Sequence, residues 1–507
     1  MKNLYLRTGL CLLLLMIVSA CGTAQPETVT VVETVVVEKE VEKEVKVVET
    51  VEVEKEVKVV ETVEVEKVVE VEKEGGAVLN VWWNKGYYAS EDEAIEKVVA
   101  DWEAKTGNTV KFSFFTNEDI IKKAQSAIEA DFVPDIVFGH QNDWVLSPRL
   151  AWEDKLANVS DVIEPVADLY SEGALNAVNL QNNVTGERSY YAVPIEQQTT
   201  HIFYWKDMLA EIGKSEADIP KEWDAFWDFW KEAQDLYREK TGEKVYGIGM
   251  PMSTGASDTY FQFELILDAY NAKLLNADGK LLLDDPATRA NIIDALTFMT
   301  DMYIEGYVPP GAVNWLDSDN NADFLGKSSI MSPNPSLSIP ASQREDNKEN
   351  YYDLLGTAEF PDKPDGGPIR YPVSVKQALI FKDAENVDVA KDFLSYIIQP
   401  ENLGPYVQGS LGRWFPVMPS LLEDDFWRDP ADPHISVAMR QFSERPTRPF
   451  YHIANPAYSG VQAENVWAKA IGRVVVEGWT VEDAADEAIE RVQQVFAEWE
   501  AEAAAAK

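Results

Sequence analysis

The chain has 507 residues, 45 Lys and Arg against 87 Asp and Glu, and a net charge of −42 at pH 7. That acidic surplus argues against nucleic acid as a partner, since phosphate binding rests on Lys and Arg, and against an anionic ligand held by the bulk field. An apolar content of 46% with 11% aromatics is that of a globular protein.

The first twenty residues have the layout of a secretory signal. Lys2 and Arg7 lead an apolar run, Leu10 to Val18, which is closed by Ser19 and Ala20. The run is shorter than the ~20 residues of a membrane span. Val18-Ser19-Ala20-Cys21 resembles the bacterial lipobox, which implies a lipid on Cys21, the N-terminus of the mature protein, and an extracytoplasmic, membrane-anchored location. An ordinary cleaved signal with an incidental Cys21 is the alternative. From about Glu27 to Glu74 the chain is almost all Val, Glu, Lys and Thr, and VEKEVKVVETVE fills both 41–52 and 53–64. Twelve residues turn a helix face by about 120° per repeat, so no apolar stripe persists. A period of two does persist, yet dense charge and the lack of aromatics prevent a packed core. Residues 21–76 read as a lipidated cysteine followed by a solvated stalk, extended in the monomer, with a reach on the order of 150 Å.

About 430 residues follow Gly75-Gly76, enough for two or three domains or one large bilobal unit. Cys11 leaves with the signal and His140, His201, His434 and His452 are scattered, so neither thiol chemistry, a metal site nor a cofactor is expected. Val78 to Trp83 predicts a strand. Ser90 opens a helix with Glu93 as its capping box, Ile95, Val98, Val99 and Trp102 as its buried stripe and Gly107 as its stop. Residues 110–114 alternate as a strand, Ile120, Ile121, Ala124, Ala127 and Ile128 stripe a second helix, and residues 135–138 form a short buried strand. Strands spaced by single helices predict a mostly parallel sheet, with ligands beyond the carboxyl ends of its strands. Trp223, Trp227 and Trp230 stripe one helix and read as core, as do Trp102, Trp467 and Trp499.

Residues 100–112 (ADWEAKTGNTVKF), 134–143 (PDIVFGHQND), 191–209 (YAVPIEQQTTHIFYWKDML) and 219–234 (IPKEWDAFWDFWKEAQ) stand in an order that resembles the solute-binding proteins of bacterial ABC importers. So do residues 281–308, 326–336, 371–403 and 468–492, and the group resembled is the sugar-binding one that includes maltose-binding protein. The resemblance implies an α/β periplasmic-binding fold of type II, in which two lobes joined by hinge strands close on a sugar, particularly an oligosaccharide. It implies chain crossings near Pro194, Ser328 and Ala378. The N-terminal lobe is then expected over 77–195 and 328–378 and the C-terminal lobe over 196–327 and 379–507, after a signal at 1–20 and the stalk. The implied partners are the sugar, the permease subunits of the importer and the membrane through the lipid. The protein is expected to be a monomer and no enzyme.

A sugar site needs aromatic planes for C–H faces and polar side chains for hydroxyls. Lys85 and Tyr87 match the lysine-glycine-tyrosine turn of the maltose binders, and Trp83 and Tyr88 add faces for stacking or for packing the strand's end. Asp143 and Trp144 follow the third strand where relatives carry an aspartate. Glu196 and Gln198 follow the first crossing, with Gln198 in the place of a ligand-binding glutamate. Ser257 lies in a small polar loop that equally caps a helix. Trp315, Asn334, Arg370, Arg413 and Trp414 complete the expected set. A glycerol-phosphate-type ligand would need clustered cations, supplied thinly by Lys85, Arg370 and Arg413. Two other classes remain: a tethered glycoside hydrolase, which needs two carboxylates roughly 5–10 Å apart, and a stalked adhesin without a deep cleft.

Overall fold

Alternating apolar strands and amphipathic helices build two main sheets. The computed structural model describes residues 76–505; the signal-like segment, the lipobox and the repeat stalk lie outside them. The larger sheet has the order Phe415–Pro416, Val193–Gln198, Tyr371–Ile380, Ile136–Gly139, Val78–Asn84, Thr109–Phe115, with Thr447–Pro449 also paired to Tyr371–Ile380. Val78–Asn84 runs parallel to both neighbours, as the strand–helix alternation requires. Beyond Ile136–Gly139 the pairing turns antiparallel through Tyr371–Ile380, Val193–Gln198 and Phe415–Pro416. The expected mostly parallel sheet is therefore mixed, because its second half is assembled from distant segments rather than from helical crossovers.

The smaller sheet has the order Leu355–Ala358, His201–Trp205, Ser329–Asn334, Tyr246–Ile248. Only Thr199 and Thr200 separate Val193–Gln198 in one sheet from His201–Trp205 in the other. The first crossing thus falls at 199–200 rather than near Pro194. No crossing occurs near Ser328 or Ala378: Ser329–Asn334 and Leu355–Ala358 both stay in the smaller sheet, and all of Tyr371–Ile380 is in the larger one. The return passes through residues 359–370. Helices Val387–Ile397 and Pro400–Gln408 then pack on Ala89–Thr106, where Trp102 Nε1 donates to Asp392 Oδ2 at 2.9 Å and Ser90 Oγ donates to the Gly409 carbonyl at 2.7 Å. Residues 387–408 therefore accompany the larger sheet, unlike the expected boundary at 379.

Helix Ala89–Thr106 buries Ile95, Val98, Val99 and Trp102 and stops at Gly107, whose φ of 77° is the left-handed cap glycine permits. Its capping carboxylate is Glu91 rather than Glu93, accepting the Tyr87 and Tyr88 N–H groups at 3.2 and 3.3 Å. Helix Trp223–Thr241 buries its tryptophan stripe as expected, and Trp227 meets Trp223, Phe226 and Phe298 at ring distances of 5.7, 5.2 and 5.2 Å. No helix among the described residues is long and apolar enough to cross a membrane.

Trp227→Ala is expected to cost about 3–5 kcal/mol by opening a cavity in this aromatic cluster. Urea unfolding would show a lowered midpoint at unchanged slope.

Candidate ligand-binding cleft

The carboxyl ends of strands from both sheets meet at a cavity of about 310 Å³. From the larger sheet, Val78–Asn84 runs into the turn Lys85-Gly86-Tyr87. Gly86 N–H donates to Asp92 Oδ1 at 2.8 Å, and a Cβ there would lie 2.6 Å from Glu91 Cβ, so the turn needs glycine. Ile136–Gly139 ends at His140 and Gln141, and the single π turn Asn142–Leu146 puts Trp144 on the cavity and Asp143 behind it. A register irregularity between Lys376 and Gln377 marks a bulge in Tyr371–Ile380, a device that re-aims side chains, and Lys376 lines the cavity. Arg413 and Trp414 arrive through a turn with φ of 56° at Leu411 and 89° at Gly412, where a Cβ would come within 2.4 Å of Ile435.

From the smaller sheet's side come Ser257, Asp258 and Phe261 on helix Ser257–Ala269, Asp317, Asn321 on helix Asp319–Leu325, and Asn334 at the end of Ser329–Asn334. These groups are ordered by one another. Ser257 Oγ donates to Asp317 Oδ2 at 2.8 Å, and Asn334 accepts from Asn320 at 3.0 Å while donating to the Ser336 carbonyl at 2.8 Å. Tyr88 Oη donates to the Ser338 carbonyl at 2.7 Å, linking the first turn to the other side of the cleft.

Ionisable groups are dense and mostly buried. Lys376 Nζ is held by Ser374 Oγ at 2.6 Å and Asp143 Oδ1 at 3.5 Å. Burial moves both ends of this pair toward neutrality, Lys376 downward and Asp143 upward, against their mutual attraction. His140 Nε2 lies 3.3 Å from Glu196 Oε1 without hydrogen-bond alignment. Burial pushes Glu196 well above the usual carboxylate range, helped by nearby Glu91, and pushes His140 well below its own, helped by Arg413 and Lys376. Asp258 is also raised well above its range, by burial first and then by Asp317.

Of the expected residues, Lys85, Tyr87, Trp144, Gln198, Ser257, Asn334, Arg413 and Trp414 line the cavity. Six do not. Trp83 stacks on Phe138 at 4.3 Å and is core; Tyr88, Asp143 and Glu196 form the layer behind the wall. Trp315 is partly buried and offers its carbonyl to Ser253. Arg370 is drawn away by Asp268, whose carboxylate accepts its Nε at 2.9 Å. Sequence reasoning missed Lys376, Asp258, Phe261, Asn321 and the role of His140. Lys376 carried a readable signal, a lone cation between Val375 and the apolar end of a strand; Asp258, Phe261 and Asn321 lay in helices with no distinguishing pattern, and His140 in the turn after a strand.

The sequence profile of the bacterial extracellular solute-binding protein family matches residues 97–435. YcjN of Escherichia coli (strain K12), a protein named for an inferred role as the periplasmic-binding protein of an ABC transporter, is 22% identical over 339 residues, 66% of this chain and 72% of its own length. An ABC transporter solute-binding protein from Thermotoga lettingae, solved with α-D-tagatose, superposes with a TM-score of 0.68 at 19% identity, over 83% of this chain and 100% of that one. The GacH receptor of Streptomyces glaucescens, solved unliganded and with acarbose, gives 0.66 at 15% identity, over 83% and 98%. These likenesses show the type II periplasmic-binding fold.

The Glu196 shift has a testable sign. Its raised value keeps the proton in the folded state at pH values where the unfolded chain, near 4.5, has lost it, so its contribution is full below that value and is lost as pH rises. Glu196→Gln cannot ionise in either state. Its stability relative to the parent should therefore rise between pH 5 and 8, by up to about 1.4 kcal/mol per unit; a constant difference in urea unfolding would mean that Glu196 titrates normally.

Proposed function

The chain belongs to the bacterial extracellular solute-binding protein family, and from that premise we propose that it captures a sugar and delivers it to the permease of an ABC importer. One observation carries the sugar reading: aromatic faces and ordered polar groups share the wall of one cavity at the strand ends. Trp144, Trp414, Phe261 and Tyr87 supply planes for C–H faces, and Asn334, Gln198, Ser257 and Asp317 supply hydroxyl partners. At about 310 Å³ the cavity is near the lower bound of ligand pockets, roughly 300 Å³, which favours one or two sugar rings.

In this reading each sheet with its helices is a lobe, the two-residue connection at 199–200 is part of the hinge, and ligand contacts made only in the closed form drive closure. The lipobox at Cys21 and the repeat stalk serve as anchor and spacer, and the protein works as a monomer without catalysing a reaction. The relatives support this by what they were solved with: α-D-tagatose in the Thermotoga protein and acarbose in GacH.

A thermal-shift screen of the chain against mono- and disaccharides tests the proposal. A ligand at one hundred times its dissociation constant should add ~2.7 kcal/mol, and Trp144→Ala or Trp414→Ala should erase most of that gain. No shift across a broad panel sinks the sugar reading, and turnover of the sugar would replace it with an enzyme.

A further inference from the structure

We infer that the sugar carries an anionic group, a carboxylate or a phosphate, seated against Arg413 and Lys376. This rests on the sugar reading above and narrows it to a ligand class. The sequence offered Lys85, Arg370 and Arg413 as thinly spread cations. The fold sends Arg370 to Asp268 and brings Lys376 to the cavity instead, so Lys85, Lys376 and Arg413 stand on one wall.

Their counter-charges do not share that wall. Lys85 pairs with Asp92, Lys376 with Asp143 and Arg413 with Glu91, and none of the three carboxylates lines the cavity. A ligand therefore meets the positive ends of the Lys85 and Arg413 pairs, with Lys376 lining the same wall at 1% exposure. The carboxylates that do line it, Asp258 and Asp317, come from the smaller sheet's side, and burial together with Asp317 disfavours the charged form of Asp258. The cavity is thus polar in the electrical sense, cationic on one wall and acidic or amidic on the other.

Arg413 is built for a bidentate guest. Its guanidinium lies between the rings of Tyr87 and Trp414, with its carbon 5.0 and 4.6 Å from their centroids, which fixes its plane. Its contact to Glu91 is a single one at 3.5 Å, and that carboxylate already accepts two backbone N–H groups. A planar fork held in this way matches a carboxylate or phosphate more closely than a lone hydroxyl. Within a chain of net charge −42, a cationic wall also concentrates the local field where the surroundings repel anions.

The test is calorimetric titration of the full chain with glucose, galactose, glucuronate, galacturonate and glucose 6-phosphate at pH 7. At least one anionic sugar should bind tenfold or more tightly than its neutral parent, and the better of uronate and phosphate identifies the group. Arg413→Gln should reduce that ratio below threefold. If the variant binds nothing, salt decides: raising NaCl from 0.05 to 0.5 M should weaken the anionic sugar several-fold and leave the neutral one unmoved. Neutral sugars binding as well as or better than their acids, or an equal salt response, overturns the anionic assignment alone. If neither class binds here or in the mono- and disaccharide screen above, the sugar reading itself fails.

Discussion

The cleft depends on keeping one ammonium out of water. Lys376 is 1% exposed near the middle of Tyr371–Ile380, the strand that pairs with Ile136–Gly139, Val193–Gln198 and Thr447–Pro449. An unpaired charge in that place would cost several kcal/mol, and removing one member of a buried pair typically costs about 3–5 kcal/mol. Asp143 meets this need, and it can do so because the π turn after Ile136–Gly139 directs it inward while presenting Trp144 to the cavity. The same requirement therefore fixes a bulge, a turn and an aromatic face together.

Around that pair the charges form layers. On the larger sheet's wall the cations line the cavity, and behind Lys85 and Arg413 stand Asp92 and Glu91, which also hold the first turn and cap the first helix. Glu91 shows the economy of the arrangement, since it closes the capping of Ala89–Thr106 and anchors Arg413 with one carboxylate. Low-dielectric surroundings strengthen each of these contacts and penalise each unpaired group. The wall is consequently stiff, and a guest finds donors already oriented rather than ones it must order.

The elements were legible where one local rule determined them. The helical stripe ending at Gly107 and the tryptophan stripe at 223–230 stand where their period puts them, and the short buried strand expected at 135–138 runs one residue later, over 136–139. What local rules could not give was partnership. The antiparallel half of the larger sheet joins segments more than 170 residues apart, which no local pattern encodes, and the crossings implied by the family resemblance were misplaced. The same gap explains the site. Trp83 and Trp144 both follow apolar strand residues, yet Trp83 finds Phe138 and Tyr406 while Trp144 reaches the cavity. Arg370 looked like Arg413 in sequence, but Asp268 on helix Ser257–Ala269 pairs with Arg370, while Arg413 lines the cavity.

Connectivity and electrostatics then bear on the same event. A connection of two residues, Thr199 and Thr200, ties the cationic wall to the acidic one, with Thr199 Oγ1 donating to the Pro372 carbonyl at 2.8 Å. The two walls differ in character, with cations on one and acidic or amide groups on the other. Closure answers to a ligand only if the ligand gains more in the closed form than in the open one. A sugar with hydroxyls at one end and an anion at the other gains that difference, because each end is satisfied by a different wall. A uniformly neutral sugar would add nothing to the contacts that the cations already make with the carboxylates behind them, and the wall's stiffness would then work against tight closure rather than for it.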